Sequence, residues 1–369
     1  MDRFSPHPST PQQSLRQDLQ EKWQQWVEAE SQRRLLALCF IYDVHQSIYH
    51  QQNRIRPQFD ASLIHVPCSD NLWDANSASE WSVQHAAYSV QHLDSVEQNS
   101  LSQHPMSRSC FVQSLLICNL ATRLSGDDPN YPNDYFLEGI HPAVAELDLV
   151  FPNSPLIQTY LALHFTPLQD LLAIAGDTWV FGRKITPPTA FHAAQARLKT
   201  WSMSLAAAAA TQHACRRLQM ALASESGPQL VDHPGEPYTG GEHCISDYWA
   251  VYVSALICWA FGHRQSLSGA VSRNSPVTAI NTSDMEVDSP QTPVDESRLK
   301  ALSYINGMLS LSREDLLMTR ARGDTSGLID AVKTQLEIDG IGAKCMTIVD
   351  AIQVLTRIKQ GRRSRARFF

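Results

Sequence analysis

A 27-residue run without glycine or proline, from Trp23 to Tyr49, constrains this chain more than any other stretch. Within WQQWVEAESQRRLLALCFIYDVHQSIY, apolar residues recur at three- and four-residue steps: Trp23, Val27, then Leu35, Leu38 and Tyr42. That spacing belongs to an amphipathic helix and not to a strand. Its centre, Leu35 to Val44, is apolar almost all round, so a helix here must be covered on several sides. Glu30 precedes Arg33 and Arg34 by three and four residues, the spacing at which side chains on one helix pair. Asp43 lies inside the apolar run, where an unpaired carboxylate is costly, so it requires a partner. Taken alone, the stretch reads as one long core helix held by structural ion pairs.

At 369 residues the chain can bury a sizeable core, in one large domain or two. Apolar residues make up 43% and charged residues 18%, ordinary for a globular protein on the low-charge side. A net charge of −7 and a pI near 6.0 argue against coating nucleic acid by bulk charge, though not against a local basic patch. The eight cysteines (Cys39, Cys68, Cys110, Cys118, Cys215, Cys244, Cys258 and Cys345) are scattered and form no C-x-x-C pair. They fit buried free thiols better than a disulfide framework, and they cannot build a two-Cys two-His finger or a six-Cys zinc cluster. The N-terminus lacks the apolar core of a signal peptide. The longest uncharged apolar run, Tyr248 to Gly262, is too short to span a bilayer. A soluble, intracellular protein is expected.

Residues 1–13 are polar and Pro-rich and read as a disordered leader. The long helix is expected from about Ser14 to a frayed end at 51–53, followed by an extended connection over 54–68. Ser77-x-x-Glu80 is a capping box for a short helix carrying Trp81. Trp73 and Trp81, eight residues apart, are expected to clamp against the first helix. Ser107 to Leu124 predicts an apolar helix, and Asp127 and Asp128 beyond it read as turn residues. Ser154-Pro155 and Thr166-Pro167 each place a cap before a proline, predicting helices over 155–165 and 167–181. Thr186-Pro187-Pro188 opens a predicted helix of about 35 residues, through Trp201 and the alanines 206–210 to about Ala223. A Gly/Pro loop over 224–242 leads to DYWAVYVSALICWAFG, a helix expected to be buried all round with Trp249 and Trp259 on opposite sides.

From 264 to 296 the chain is Ser/Thr/Pro-rich and acidic towards its end, so a disordered linker is expected. Ser275-Pro, Ser289-Pro and Thr292-Pro in it resemble proline-directed phosphorylation sites. Helices are predicted at 297–311, 313–322, 326–339 and 344–360, the second opened by Ser312-x-x-Asp315. No alternating strand pattern occurs. The fold class is therefore all-α, a multi-helix domain over 14–263 and 297–361 with an irregular insertion and a basic tail at 362–369.

Catalytic constellations are missing from the sequence: it holds no G-x-S-x-G, H-E-x-x-H, phosphate loop or G-x-G-x-x-G. His45 and His50, like His85 and His92, have no cysteine or carboxylate at ligand spacing, so they read as structural or exposed. The strong charge feature is C-terminal, where Arg357, Lys359, Arg362, Arg363, Arg365 and Arg367 occur without an acid. Arg362, Arg363, Arg365 and Arg367 are a candidate nuclear import signal, against the plain alternative of a solvated tail behind a helix C-terminus.

The landmarks are more specific in combination. W-x-x-W-x-x-x-E-x-x-R-R…D, at Trp23, Trp26, Glu30, Arg33, Arg34 and Asp43, is followed by P-C-x-x-x-L-W-x-A at Pro67 to Ala75 and by Ser79-Glu80-Trp81. YVSALICWAFG with Trp259, at 252–262, and VDAIQVLTRIKQG, at 349–361, lie far downstream. The set resembles the fungal-specific transcription factor domain, the helical regulatory region of fungal zinc-finger regulators. It is most similar to the branch whose DNA-reading part is a pair of two-Cys two-His fingers.

The resemblance implies a nuclear regulator of RNA polymerase II transcription, non-enzymatic, with pathway-specific control such as that of a metabolic gene cluster. Its partners would be the transcription machinery or other regulators, and no membrane. No cofactor is expected; zinc would enter only with a finger region upstream of this chain, and DNA contact only indirectly or through those fingers. Fingers would lie N-terminal to this region, so the chain is expected to be a truncated product or a finger-less relative. Loss of upstream cover would leave an apolar face exposed beside Leu35 to Val44, and with it a tendency to self-associate. Two other readings stand beside this one: a finger-less interaction protein that modulates a full-length relative, and, more remotely, an all-α small-molecule binder or enzyme.

Overall fold

The computed structural model describes residues 11–55, 64–86, 88, 91–92, 109–124, 142–176, 179–180, 183–184, 188–223, 245–263, 293–338 and 345–361. The fold is all-α, with two antiparallel ladders of two residues per strand as its described strand pairing. The chain divides into two compact units, one made of residues 1–129 and 141–152, the other of 130–140 and 153–369.

In the first unit, α1 (Pro11–His50) runs for 40 residues, about 60 Å at 1.5 Å per residue. It begins three residues before the expected Ser14, at a proline whose preset φ suits a first helical turn. Its end is built rather than frayed. Gln51 takes a left-handed φ of 48°, and the Ser47 hydroxyl donates to the Gln52 carbonyl at 2.6 Å. Ala37, Phe40 and Val44, at the helical repeat, form the buried line of this helix. After the β1 strand (His65–Val66), which pairs with β2 (Gln91–His92), come α2 (Asp70–Trp73) and α3 (Ala78–His85). Next are α4 (Cys110–Ala121), extended by a 3-10 turn at Thr122–Leu124, and α5 (Pro142–Val150). Ser109 caps α4 by accepting the Val112 N–H, two residues later than the expected Ser107 start. Leu115, Cys118 and Leu147 are fully buried where these helices meet α1 and each other.

The second unit begins with α6 (Pro155–His164), where Ser154 and Pro155 act as cap and first residue as expected. Thr166 does not cap the next helix. Its hydroxyl donates back to the Ala162 carbonyl at 2.7 Å, so it finishes α6, and α7 (Leu168–Ala175) starts behind Pro167. The expected helix to 181 stops at Ala175 because Gly176 adopts φ +102°, a conformation that terminates helices at little cost only in glycine. The β3 (Trp179–Val180) and β4 (Arg183–Lys184) strands then form the second ladder.

The expected 35-residue helix is two helices, α8 (Pro188–Trp201) and α9 (Leu205–Ala223). Serines make the break. Ser202 donates to Lys199, and the Ser204 hydroxyl both donates to the Trp201 carbonyl and accepts the Ala207 N–H, restarting the helix. Trp201 is fully buried, and its indole donates to the Phe165 carbonyl at 2.7 Å, which satisfies its single donor.

α9 is the hub of this unit, packing on α6, on α10 (Ile245–Gly262) and on α11 (Pro293–Leu309). Its alanines 206–210 are buried, which permits the close approach of its neighbours. Cys215 and Cys258 face one another across α9 and α10 at 3.8 Å as free thiols. α10 is buried without interruption from Ala250 to Phe261, as its composition predicts, while Trp249 is only partly covered. Gly262 is obligatory: a Cβ there would collide with the Arg322 carbonyl of the 3-10 turn Ala321–Gly323.

α11 starts at Pro293, inside the segment expected to be linker to 296. α12 (Arg313–Met318) is shorter than the predicted 313–322, closing at Thr319 before that 3-10 turn, with Ser312 capping Asp315 as expected. α13 (Ser326–Ile338) and α14 (Met346–Gly361) complete the unit. The leader to residue 10, Asp127 and Asp128, the 224–242 loop, Ser275, Ser289 and Thr292 of the three Ser/Thr-Pro dipeptides, and Arg362, Arg363, Arg365 and Arg367 lie outside the described residues.

Candidate functional site

The sequence landmarks of the first unit converge on one place. Three turns of α1 carry Trp23, Trp26, Glu30, Arg33 and Arg34 along one side, since steps of three and four return to the same face. Trp26 meets Trp73 at 6.5 Å and Trp81 at 5.8 Å, both tilted, and His85 edge-on at 6.1 Å. Trp81 also lies 4.6 Å from His85. Leu19, Trp23, Trp26, Trp73 and Tyr88 pack around a buried centre of Cys68, Leu72, Ala75 and Trp81. The tryptophan clamp is therefore three-membered, with α1 supplying the middle ring.

Beside the clamp sits a fully buried carboxylate. Glu30 is 0% exposed, and both its oxygens are used. One accepts the Cys68 main-chain N–H at 2.8 Å; the other accepts Arg33 Nη1 at 3.1 Å. Arg34 approaches the first oxygen at 3.5 Å, donates to the Cys68 carbonyl at 3.1 Å, and lies 3.7 Å from Asp70. Its guanidinium also stacks over the Trp73 ring at 4.4 Å, a position an Arg fork fills and a Lys ammonium does not. So W-x-x-W-x-x-x-E-x-x-R-R and P-C-x-x-x-L-W are the two halves of one latch, with Glu30 and Arg34 bracketing the Cys68 peptide. The Cys68 thiol, shut in by burial and next to the Glu30 charge, is pushed up to about 12. Burial, and then the same charge, also raises the Tyr88 phenol.

Two supporting devices complete the geometry. Ser77 accepts the Glu80 N–H at 3.2 Å, and Glu80 returns the bond to the N–H of Asn76, one residue outside the expected box. At the far end of α1, Asp43 finds its partner in Arg54, whose Nε donates at 3.2 Å, while the Ile55 N–H donates to the other oxygen at 2.8 Å. Arg54 lies over the Phe40 ring at 5.3 Å. This pair holds the outgoing chain against the helix. Trp259 belongs to the other unit, where it is 3% exposed and lies 5.7 Å from His263.

At the latch the Glu30 carboxylate accepts donors on both oxygens, and the Cys68 thiol beside it is held in its protonated form. Among the described residues no group of three His, Cys, Asp or Glu could hold a metal ion, and no helix is long and apolar enough to cross a membrane. The main-chain bond of Cys68 and the pairing of Arg54 escape a reading of sequence. Cys68 contributes its peptide, which residue identity does not report, and Arg54 lies in a segment that reads only as a connection. On the opposite side of α1, Leu35, Leu36, Leu38 and Tyr42 are exposed, so the uncovered apolar face expected beside Leu35 to Val44 is present.

Residues 3–127 match the family model described as the fungal specific transcription factor domain. The downstream motifs at 252–262 and 349–361 lie beyond that match. A 75-residue stretch is 32% identical to the nicotinate catabolism cluster-specific transcription factor of Emericella nidulans, covering 20% of this chain and 8% of that protein. No solved structure matches the chain.

Proposed function

We propose that the chain is a regulatory region of a fungal transcription regulator that acts on RNA polymerase II genes in the nucleus by contacting other proteins. The observation that carries this reading is the latch itself. Trp23, Trp26, Glu30, Arg33, Arg34, Trp73 and Trp81, which are among the residues that carry the family resemblance, come together in one structure inside the stretch that matches the family model. Pathway-specific control, such as that of a metabolic cluster, draws support from the similarity to the cluster-specific factor, and the same similarity supports a non-enzymatic role. Arg362, Arg363, Arg365 and Arg367 are proposed as the import signal.

The test is a reporter assay. The full chain fused to a heterologous DNA-binding domain should change transcription of a reporter at least several-fold, and Glu30→Ala should abolish that change. A reporter indifferent to the fused chain, at normal nuclear protein levels, would refute the reading. The exposed apolar face of α1 favours a second reading, a modulator that works only through a full-length relative. Chromatin immunoprecipitation separates the two, because occupancy that survives deletion of candidate relatives excludes the modulator.

A further inference from the structure

On α1, Leu35 is 61% exposed, Leu36 47%, Leu38 53% and Tyr42 59%, and the Cys39 thiol is exposed among them. The opposite line of the same helix, Ala37, Phe40 and Val44, is at most 2% exposed. One face thus serves the core of the first unit, and the other presents large apolar side chains outward at a spacing of three, then four.

We propose that this face binds the same face of a second copy of the chain, α1 against α1, antiparallel. Register is the argument. Leu35 and Tyr42 are seven residues apart with Leu38 between them, and continuing that step gives the line Glu28, Ser31, Leu35, Leu38, Tyr42, His45. Laid antiparallel on itself about a two-fold axis, the line pairs Leu35 with Leu38 of the second copy, Ser31 with Tyr42, and Glu28 with His45. Two leucine layers fill the centre. At both ends the acid of the line meets its imidazole, and a tyrosine hydroxyl meets a serine. Glu28 is exposed; His45 is half-buried with its ring 3.9 Å from Tyr49, at the edge of the face. The parallel arrangement places Glu28 against Glu28 and Ser31 against Ser31, so charge selects the antiparallel one. The overlap, residues 28–45, is 18 residues or about 27 Å of helix.

Sedimentation of the full chain over a wide concentration range tests this. A reversible monomer–dimer equilibrium is expected. Leu38→Glu should raise the dimer Kd at least about tenfold, since it puts a charge in the seam, without lowering the melting temperature measured at concentrations where both proteins are monomeric, because Leu38 is exposed in the monomer. Glu28→Lys and His45→Glu should each weaken the dimer several-fold, and the double exchange should recover most of the loss. A monomer at all concentrations, a dimer indifferent to Leu38→Glu, or single charge changes that weaken without recovery in the double variant would each overturn the proposal. So would a monomer in which the face is occupied by another segment or another protein.

Discussion

Glu30 and Cys68, 38 residues apart in the chain, are joined by a 2.8 Å hydrogen bond from the Cys68 peptide N–H to a carboxylate with no exposure to solvent. A buried charge survives only when its oxygens are filled, and here two arginines and a main-chain donor fill them. The bond therefore ties the long helix to the segment that carries Trp73 and Trp81. Glu30→Ala is expected to destabilise the first unit by about 2–4 kcal/mol, because Arg33 and the Cys68 N–H lose their acceptor and Arg34 its ion-pair partner. Glu30→Gln should cost less, keeping an acceptor without the charge. Denaturant midpoints of the two variants check the order.

Asp43 caps the turn after α1 by holding Arg54 and the Ile55 N–H. Both side chains of the pair are largely buried, at 12% and 16% exposure, so the interaction is not an ordinary screened surface pair. Asp43→Ala should lower stability by about 1–3 kcal/mol. Asp43→Asn, which can still accept the Ile55 N–H, should recover part of that loss in the same denaturation measurement.

Two glycines should respond in opposite directions. Gly262→Ala drives a Cβ into the Arg322 carbonyl and should cost more than about 2 kcal/mol, since main chain cannot yield as a flexible side chain does. Gly307, inside α11, has nothing within 4 Å of the added carbon, so Gly307→Ala should stabilise by about 0.5–1 kcal/mol. Melting temperatures of the pair test the packing of the second unit directly.

Cys68 should resist alkylation in the folded protein, and Cys39, exposed on α1, should react. Burial, followed by the Glu30 charge, holds the Cys68 thiol up at about 12 against an ordinary value of 9.0, so folding favours its protonated form. Its contribution is fully present below about pH 9 and is lost as pH rises towards 12, because the unfolded chain releases the proton first. Tyr88, also raised by burial, acts in the same direction. Denaturation midpoints should fall steadily above pH 9, and Cys68→Ser should make the fall shallower.

Much of the fold is legible without coordinates. The period of Trp23 to Tyr49 specifies a helix, the unbroken apolarity of Tyr248 to Gly262 specifies burial, and Ser77, Ser154 and Ser312 mark helix starts through local hydrogen bonds. These are readable because their causes lie within a few residues. The Glu30–Arg33–Arg34 pairing is local in the same sense, since one helix sets it.

Tertiary structure decided the rest. That Ser202 and Ser204 break a helix, rather than sit on its surface, follows from the burial of Trp201 and its bond to Phe165. That Thr166 closes one helix instead of opening the next depends on which carbonyl its hydroxyl reaches. The partners of Asp43, and the main-chain partner of Glu30, come from the segment between α1 and α2, and the latter is a peptide group common to nearly every residue. Sequence determined the helices and the need for a partner at each buried charge; only the fold, by bringing distant main chain within 3 Å, determined which partner answered.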